Sequence, residues 1–474
     1  MKTMNEYIFE ESRKALLMLN SAGYEAYFVG GYVRDFLMGK GYSYDIDITT
    51  NALPDDIKRI FSSMKTVDTG IAHGTVKVIV KFPAADIIKG KDDVCLNSPY
   101  GAEHGLSMEI TTYRRDGRYS DNRHPDSVNF VSSLEEDLGR RDFTMNAIAC
   151  DAEGSIKDPF GGRQDMDNRM IRAVGEPEKR FEEDGLRILR ALRFSAVLGF
   201  SVEPKTAQAI FDCKAFLRNI SPERSFSEFK KLVCGKNAGE VIRKYTDVLG
   251  EIVPELCAMK GFNQRNEYHK YDVLEHCVRA MEAVNTTAEN VEYMKLAALF
   301  HDVGKPETFS ADDSGTGHFY GHPSAGERIV LEIFSRFKAD GFTSERVSKL
   351  IKYHDIIFEK NRVLLKKWMN RFTPQVLLEI LEIKKADNFA TGSMSDELRC
   401  KFDDIEKMIK QILKENQCFS LKDLAVTGSD LIKAGMKPGP EMGILLQYLL
   451  EKVIDDEIPN EKKQLLDEAT DFIV

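Results

Sequence analysis

The hydrophobic pattern of this chain changes period once, near Glu178. Before that point, the runs "AYFVGG", "DIDITT", "GTVKVIV" and "SMEITTY" are rich in β-branched and aromatic residues, and helical stretches such as "PDDIKRIFSSM" separate them. Short β-rich runs divided by amphipathic helices predict a small α/β unit on a mixed sheet. Beyond Glu178 the apolar residues keep helical spacing to the last residue, with Gly/Pro breaks near Gly199, Pro222, Gly261, Gly315 and Gly428. The fold class this predicts is α+β: a small mixed-sheet head followed by an all-helical remainder. Inside the head, Pro83 to Gly105 lacks any period and reads as an inserted loop.

A length of 474 residues exceeds one ordinary core, so several domains are expected. No apolar run reaches the roughly 18 residues a membrane helix requires. The opening stretch "MNEYIFEESRKALLMLNSAGYEAYF" interleaves charge with apolar residues and reads as a folded amphipathic helix rather than a signal peptide. The eight cysteines are scattered with no C-x-x-C, as expected of free thiols in a reducing cytoplasm. A net charge of -10 argues against sequence-blind coating of nucleic acid, but leaves room for a local site. Between Arg114 and Arg193 there are 13 Arg and 2 Lys. That bias suits planar, bidentate contacts, and equally a helix surface laced with ion pairs.

The stretch "VGGYVRDFLMGKGYSYDIDITT" holds the densest chemistry. On a strand of period two, Asp45 and Asp47 share a face, and "MEITTYRRDG" offers Glu109 from a neighbouring strand. Three acids so placed suit divalent cations, Mg²⁺ above all, and two-metal nucleotidyl transfer. Gly30-Gly31 before the helix "YVRDFLMG" lets backbone amides approach a triphosphate. An isolated D-x-D is usually a surface or cap pair; the combination of strand, glycine pair, helix and acid pair is rarer.

"GGYVRDFLMG…YDIDITT", "RRDFTMNAIACD" and "EEDGLRILRALRF" together resemble the class II CCA-adding tRNA nucleotidyltransferases, a family shared with bacterial poly(A) polymerases. The resemblance implies a nucleotidyltransferase head over 1–150, a neck with a nucleotide-selecting helix over 151–217, a body over 218–262 and a helical tail over 396–474. It implies Asp45 and Asp47 as Mg²⁺ ligands with Glu109 as the third acid, and Gly30, Gly31 and Arg34 at the triphosphate. Arg141 and Asp142, with Asn146, would meet the phosphates and ribose of the incoming nucleotide. Implied partners are tRNA, CTP and ATP, without a membrane and in the cytoplasm. A poly(A) polymerase, or an enzyme adding only CC or only A, would carry the same fold and acids.

"FEEDGLRILRALRF" reads as one helix with Asp184 and Arg187 three apart on one face. Alone this is usually a surface ion pair. As a template, one acceptor beside one donor matches cytosine (N4 amine, N3) and adenine (N6 amine, N1). Uracil and guanine present the reverse order and would leave buried groups unpaired. The resemblance puts Asp184 and Arg187 in this role, with Glu183, Arg190 and Arg193 supporting the pair or contacting the nucleotide's phosphates, and Glu223 and Arg224 bracing the neck.

Six of nine histidines fall within Glu267–Asp355. "YDVLEHCVRAM", "ALFHDVGKP", "HFYGHPSAG", "IKYHD" and "IKKADNFA" resemble the HD phosphohydrolase family over 263–395. That resemblance implies His276, His301, Asp302 and Asp387 as ligands of an unidentified divalent metal. His322 and His354 match positions for a second metal or a phosphate. A metallophosphohydrolase acting on RNA ends is the corresponding second activity. In the tail, Gly435 and Gly439 lie between two helical patterns and suit either an RNA-phosphate hairpin or a plain helix cap.

Overall fold

The computed structural model describes residues 4–40, 45–70, 74–80, 106–117, 128–265, 270–392 and 394–472. The inserted loop expected at Pro83 to Gly105 lies outside the described residues. Two compact units divide the chain, Met1–Val241 and Ile242–Val474. No described helix is long and apolar enough to cross a membrane.

The first unit is built on a seven-stranded mixed sheet. Helix α1 (Met4–Ser21) leads into β1 (Ala26–Val29), α2 (Gly30–Leu37), β2 (Ile46–Thr50) and α3 (Pro54–Ile60). Strands β3 (Lys65–Gly70), β4 (Thr75–Val80) and β5 (Leu106–Thr112) complete one side of the sheet. A ribbon of β6 (Arg114–Asp116) and β7 (Val128–Phe130) runs beside it, followed by the short helix α4 (Leu134–Gly139). Strands β8 (Ala149–Cys150) and β9 (Ile156–Lys157) close the other side, giving the order β3-β4-β5-β2-β1-β8-β9. The alternation in "DIDITT" does what period two requires: Ile46 and Ile48 are buried, while Asp47 and Thr49 face the other way. Below α4, Tyr27, Val29, Tyr113, Leu134, Leu138, Ala147 and Ala149 form one apolar cluster.

Helix α5 (Gly162–Asp167) and β10 (Met170–Ile171) lead to α6 (Pro177–Glu183) and α7 (Leu186–Leu198). β11 (Ser201–Val202) pairs with β10, and α8 (Pro204–Asp212) and α9 (Pro222–Val233) follow. The single helix expected across "FEEDGLRILRALRF" is therefore two. Asp184 is extended (φ -144°), and its Oδ1 accepts from Leu186 N at 3.0 Å. An acid that caps the next helix competes with continuing the previous one.

After α10 (Ala238–Leu249), the second unit is helical, as its apolar period required. It runs through α11 (Pro254–Met259), α12 (Val273–Ala283), α13 (Val291–Phe300) and α14 (Lys305–Thr308). The exception is a two-stranded hairpin, β12 (Ser310–Ala311) and β13 (Gly317–His318). It continues as α15 (His322–Phe337), α16 (Gly341–Tyr353), α17 (Arg362–Arg371) and α18 (Pro374–Ala390). The last helices are α19 (Asp396–Lys414), α20 (Gly428–Lys433), α21 (Pro440–Ile454) and α22 (Lys462–Ala469). Gly435 is left-handed (φ 108°) just past α20, where a helix-ending glycine is expected, and Gly439 is extended.

Candidate active site

Strand register brings the first set of residues together. Val29 on β1 lies opposite Asp47 on β2, and Asp47 lies beside Glu109 on β5 in a parallel pair. Gly30 follows Val29 and adopts φ 71°, a conformation that favours glycine. A Cβ on Gly30 would stand 2.9 Å from Asp47 Oδ2 and 3.5 Å from Arg141 Nη1. The glycine backbone, a metal-type acid and a guanidinium thus meet at one point. Gly31 lies against Arg34, whose Nη2 would be 3.5 Å from a Cβ there. Asp45 stands exposed one residue before β2, so it precedes the strand on which it was expected.

Burial pushes the Asp47 carboxyl up to about 6; the charges of Asp45 and Glu109 add to this, while Arg141 and Arg190 oppose it. Lys77 Nζ lies 3.3 Å from Glu109 Oε1. Two acids that raise a third through their charge make an all-oxygen donor set suited to a hard divalent cation. Among the described residues, however, donor atoms gather within 4.8 Å of one another in groups of three only in the second unit.

The arginine motifs turn out to be tightly tethered. Asp142 is buried; its Oδ1 accepts from Phe143 N (2.8 Å) and Asn146 Nδ2 (3.0 Å), and its Oδ2 accepts from Arg190 Nε (2.7 Å). Burial works against its charge, but Arg190 and Asn146 outweigh it and hold the carboxyl down at about 2. Arg34 donates to Asn146 Oδ1 at 2.9 Å. Arg193 pairs with Glu228 at 2.7 Å. The guanidiniums of Arg34, Arg190 and Arg193 surround the Phe194 ring at 5.0, 5.4 and 4.1 Å.

Asp184 and Arg187 do not lie on the one continuous helix expected for them. Asp184 Oδ2 accepts from Arg224 at 2.8 Å, while Arg187 donates to Glu183 Oε2 (2.6 Å), Arg180 O (3.1 Å) and Arg140 O (2.9 Å). The helix break falls between them, and each is braced by its own partner. Glu183 thus contacts Arg187, and Arg224 contacts Asp184.

In the second unit, the expected metal residues converge around Asp302, which is buried between two histidine pairs. Asp302 Oδ2 lies 3.4 Å from His276 Nε2 and 3.3 Å from His301 Nε2, and Asp387 Oδ1 lies 3.0 Å from His276 Nε2. Asp302 Oδ1 lies 3.3 Å from His322 Nε2 and 3.7 Å from His354 Nε2. Three rings spend Nδ1–H on backbone carbonyls: His301 on Ala298 (2.8 Å), His322 on Phe319 (2.9 Å) and His354 on Ile351 (2.6 Å). In the neutral form of each ring this leaves the lone pair on Nε2. The Nε2 atoms of His322 and His354 face each other at 3.3 Å, a distance that one proton or one metal ion can bridge. Nitrogen and carboxylate donors of this kind fit a divalent transition metal or Mg²⁺. Gly304 permits the approach: a Cβ there would collide with the His322 carbonyl oxygen.

Burial and the neighbouring histidines push His354 down to about 4. For Asp302, burial is outweighed by Lys305 and His301, which hold the carboxyl well below its usual range.

Sequence reasoning missed several residues. Asp137 is fully buried beneath β2, and Lys305 Nζ is 2.6 Å from Asp302 Oδ2 and 2.8 Å from Gln264 Oε1. Lys384 lies 3.5 Å from Asp387 Oδ2 and 2.7 Å from Asp355 Oδ1. The one available signal was spacing: Asp137 precedes Arg140 and Arg141 by three and four residues.

Comparison with known proteins agrees with this architecture. Residues 26–172 match the Poly A polymerase head domain, and 199–259 match a probable RNA and SrmB-binding site of polymerase A. Residues 267–392 match the HD domain, and 330–469 match the tRNA nucleotidyltransferase domain 2 family. The CCA-adding enzyme of Levilactobacillus brevis is 33% identical over 98% of both chains. That of Geobacillus stearothermophilus is 47% identical over 49% of this chain and 52% of its own. The crystal structure of the Bacillus stearothermophilus CCA-adding enzyme in complex with CTP superposes with a TM-score of 0.68 at 29% identity, covering 100% of this chain and 98% of the other. A Thermotoga maritima CCA-adding enzyme complexed with tRNA shares the fold at a TM-score of 0.55 and 19% identity, over 100% and 97%. With a sheet head, braced arginine motifs and a full-length relative at one-third identity, this chain belongs to the CCA-adding enzyme family of nucleotidyltransferases.

Proposed function

We propose that this chain adds C, C and A to tRNA 3′ ends from CTP and ATP, with selection by protein side chains rather than a nucleic-acid template. The observation that carries the reading is the junction of Gly30, Asp47 and Arg141, with Glu109 beside Asp47 in register. Mg²⁺ bound by Asp45, Asp47 and Glu109 would supply charge to the attacking 3′-hydroxyl and the leaving pyrophosphate. Arg141 and the Gly30-Gly31 amides face the triphosphate end. Asp142 accepts from Phe143 N, Asn146 and Arg190, so it aims Arg190 beside the phosphates and ribose of the incoming nucleotide. Asp184, braced by Arg224, offers the acceptor, and Arg187, braced by Glu183, offers the donor that cytosine and adenine share. A cytoplasmic location goes with this reading.

The test is sequencing of products made from CTP and ATP on tRNA transcripts ending before, within and after CCA, with wild type and Asp47→Ala. Expected are completed CCA ends from wild type and none from the variant. Homopolymeric A tails or arrest at CC would overturn full CCA addition in favour of the related activities.

A second reading applies to the second unit, supported by the facing Nε2 atoms of His322 and His354 and the donors around Asp302. It is a divalent-metal phosphohydrolase acting on phosphate esters at RNA ends. Bound metal, measured on the purified chain, is expected to fall in His301→Ala together with hydrolysis of 2′,3′-cyclic phosphate ends. Equal metal content in both proteins would refute it.

A further inference from the structure

Helix α4 touches both halves of the nucleotidyl-transfer machinery. Its buried Asp137 accepts from Thr49 Oγ1 at 2.9 Å, and Thr49 lies two residues beyond Asp47 on the same face of β2. The same carboxylate accepts from Arg140 Nε (3.0 Å) and Nη2 (2.8 Å), from Arg141 Nη2 (3.4 Å), and from Arg114 N at the start of β6 (3.3 Å). One side chain therefore ties the acid-bearing strand to the arginine that meets Gly30 and Asp47.

The carbonyls at the end of α4 point the other way. Gly139 O accepts from Arg180 Nη1 at 3.2 Å, and Arg140 O accepts from Arg187 Nη2 at 2.9 Å. These donors, Arg180 on α6 and Arg187 on α7, flank the break at Asp184 and Gly185. Over four residues, Asp137 to Arg140, the chain runs from the acid strand to the nucleotide-selecting arginine. A buried carboxylate with two guanidiniums holds this turn in one arrangement, because any displacement leaves a charge uncompensated.

We propose that Asp137 is a positioning residue that couples the metal-binding strand to nucleotide selection, so that the site is aligned for chemistry when Arg187 is aligned for C or A. This rests on the reading of Asp184 and Arg187 as selectors. Asparagine at 137 would keep the shape but face Arg140 and Arg141 with a neutral amide. The turn loosens, and both β2 and the Arg140 carbonyl lose their fixed positions. Misplacement on the scale of 1 Å costs about 100-fold in rate, so sub-ångström slack predicts a roughly 10- to 100-fold change.

The experiment measures single-turnover incorporation of all four nucleotides on tRNA lacking CCA, with full-length wild type, Asp137→Asn, Arg140→Met, Thr49→Val and Arg187→Ala. Circular dichroism checks that each variant is folded. For Asp137→Asn the expected result is a slower rate together with a roughly 10- to 100-fold rise in UMP and GMP incorporation relative to CMP and AMP. Thr49→Val, which cuts only the arm to β2, should slow the rate and keep selectivity. Arg140→Met, which removes the guanidinium tying Asp137 to the residue whose carbonyl holds Arg187, should relax selectivity, and it carries the test if Asp137→Asn does not fold. A folded Asp137→Asn or Arg140→Met that slows all four nucleotides equally would overturn the coupling, because a merely structural role predicts that pattern. Unchanged selectivity in Arg187→Ala would instead overturn the selector reading. Relaxed selectivity in Arg187→Ala without any in Asp137→Asn would remove the coupling alone.

Discussion

Replacing Gly30 with alanine tests the heart of the first site. At φ 71° an L-residue costs roughly 1–2 kcal/mol relative to glycine. For a unit of this size each kcal/mol lowers Tm by about 2–4 °C. The larger effect is local. The new Cβ would stand 2.9 Å from Asp47 Oδ2, whereas carbon and oxygen normally approach to about 3.3–3.6 Å. One of the two must yield by about 0.5 Å, which is the tolerance of a working active site. We expect Gly30→Ala to slow single-turnover CMP incorporation at least tenfold while tRNA binding, followed by filter retention, stays within about twofold. Gly39 supplies the control: it has φ 69° but nothing within 4 Å of its would-be Cβ. Gly39→Ala should lose similar thermal stability and keep the wild-type rate. Equal rates for the two variants would refute the argument that the Gly30–Asp47 approach, rather than backbone strain, sets activity.

Other perturbations separate the remaining parts of the site. Asp47→Asn should abolish incorporation yet raise the Tm of the metal-free chain in EDTA. The raised carboxyl favours the fold when protonated, so its contribution is present below the ordinary carboxylate range and lost as pH rises through about 6. The Tm gap between variant and wild type should accordingly widen from pH 4 to 7, and a constant gap would contradict it. Arg190→Lys cannot reproduce the contacts of Nε and Nη2 with Asp142 Oδ2, and should raise KM for CTP and ATP several-fold in steady-state assays. His301→Ala should lower metal bound by the purified chain while CCA incorporation stays within about twofold, since it removes a donor from only the second unit.

Much of this was legible in the chain itself. Period two in "DIDITT" put Asp47 opposite the buried Ile46 and Ile48, because alternation in a strand leaves no other choice. The histidine motifs likewise foresaw which side chains would meet at Asp302. The break at Asp184 was hidden, since the apolar spacing of "FEEDGLRILRALRF" continues straight through it. Only the competition between a capping carboxylate and a backbone carbonyl reveals it. Asp137 was hidden for a different reason: in "LEEDLG" it looks like one of three surface acids.

The sequence by itself determined the α+β class, the strand that carries Asp47 and the set of residue types at each site, because these follow from local period and side-chain chemistry. Tertiary structure decided what each charge is paired with. Arg187 braced on Arg140 O, Asp184 on Arg224, and Asp137 buried under Thr49 are contacts across 47, 40 and 88 residues of chain. Side-chain partners at such separations follow from how elements pack, and no local pattern encodes that.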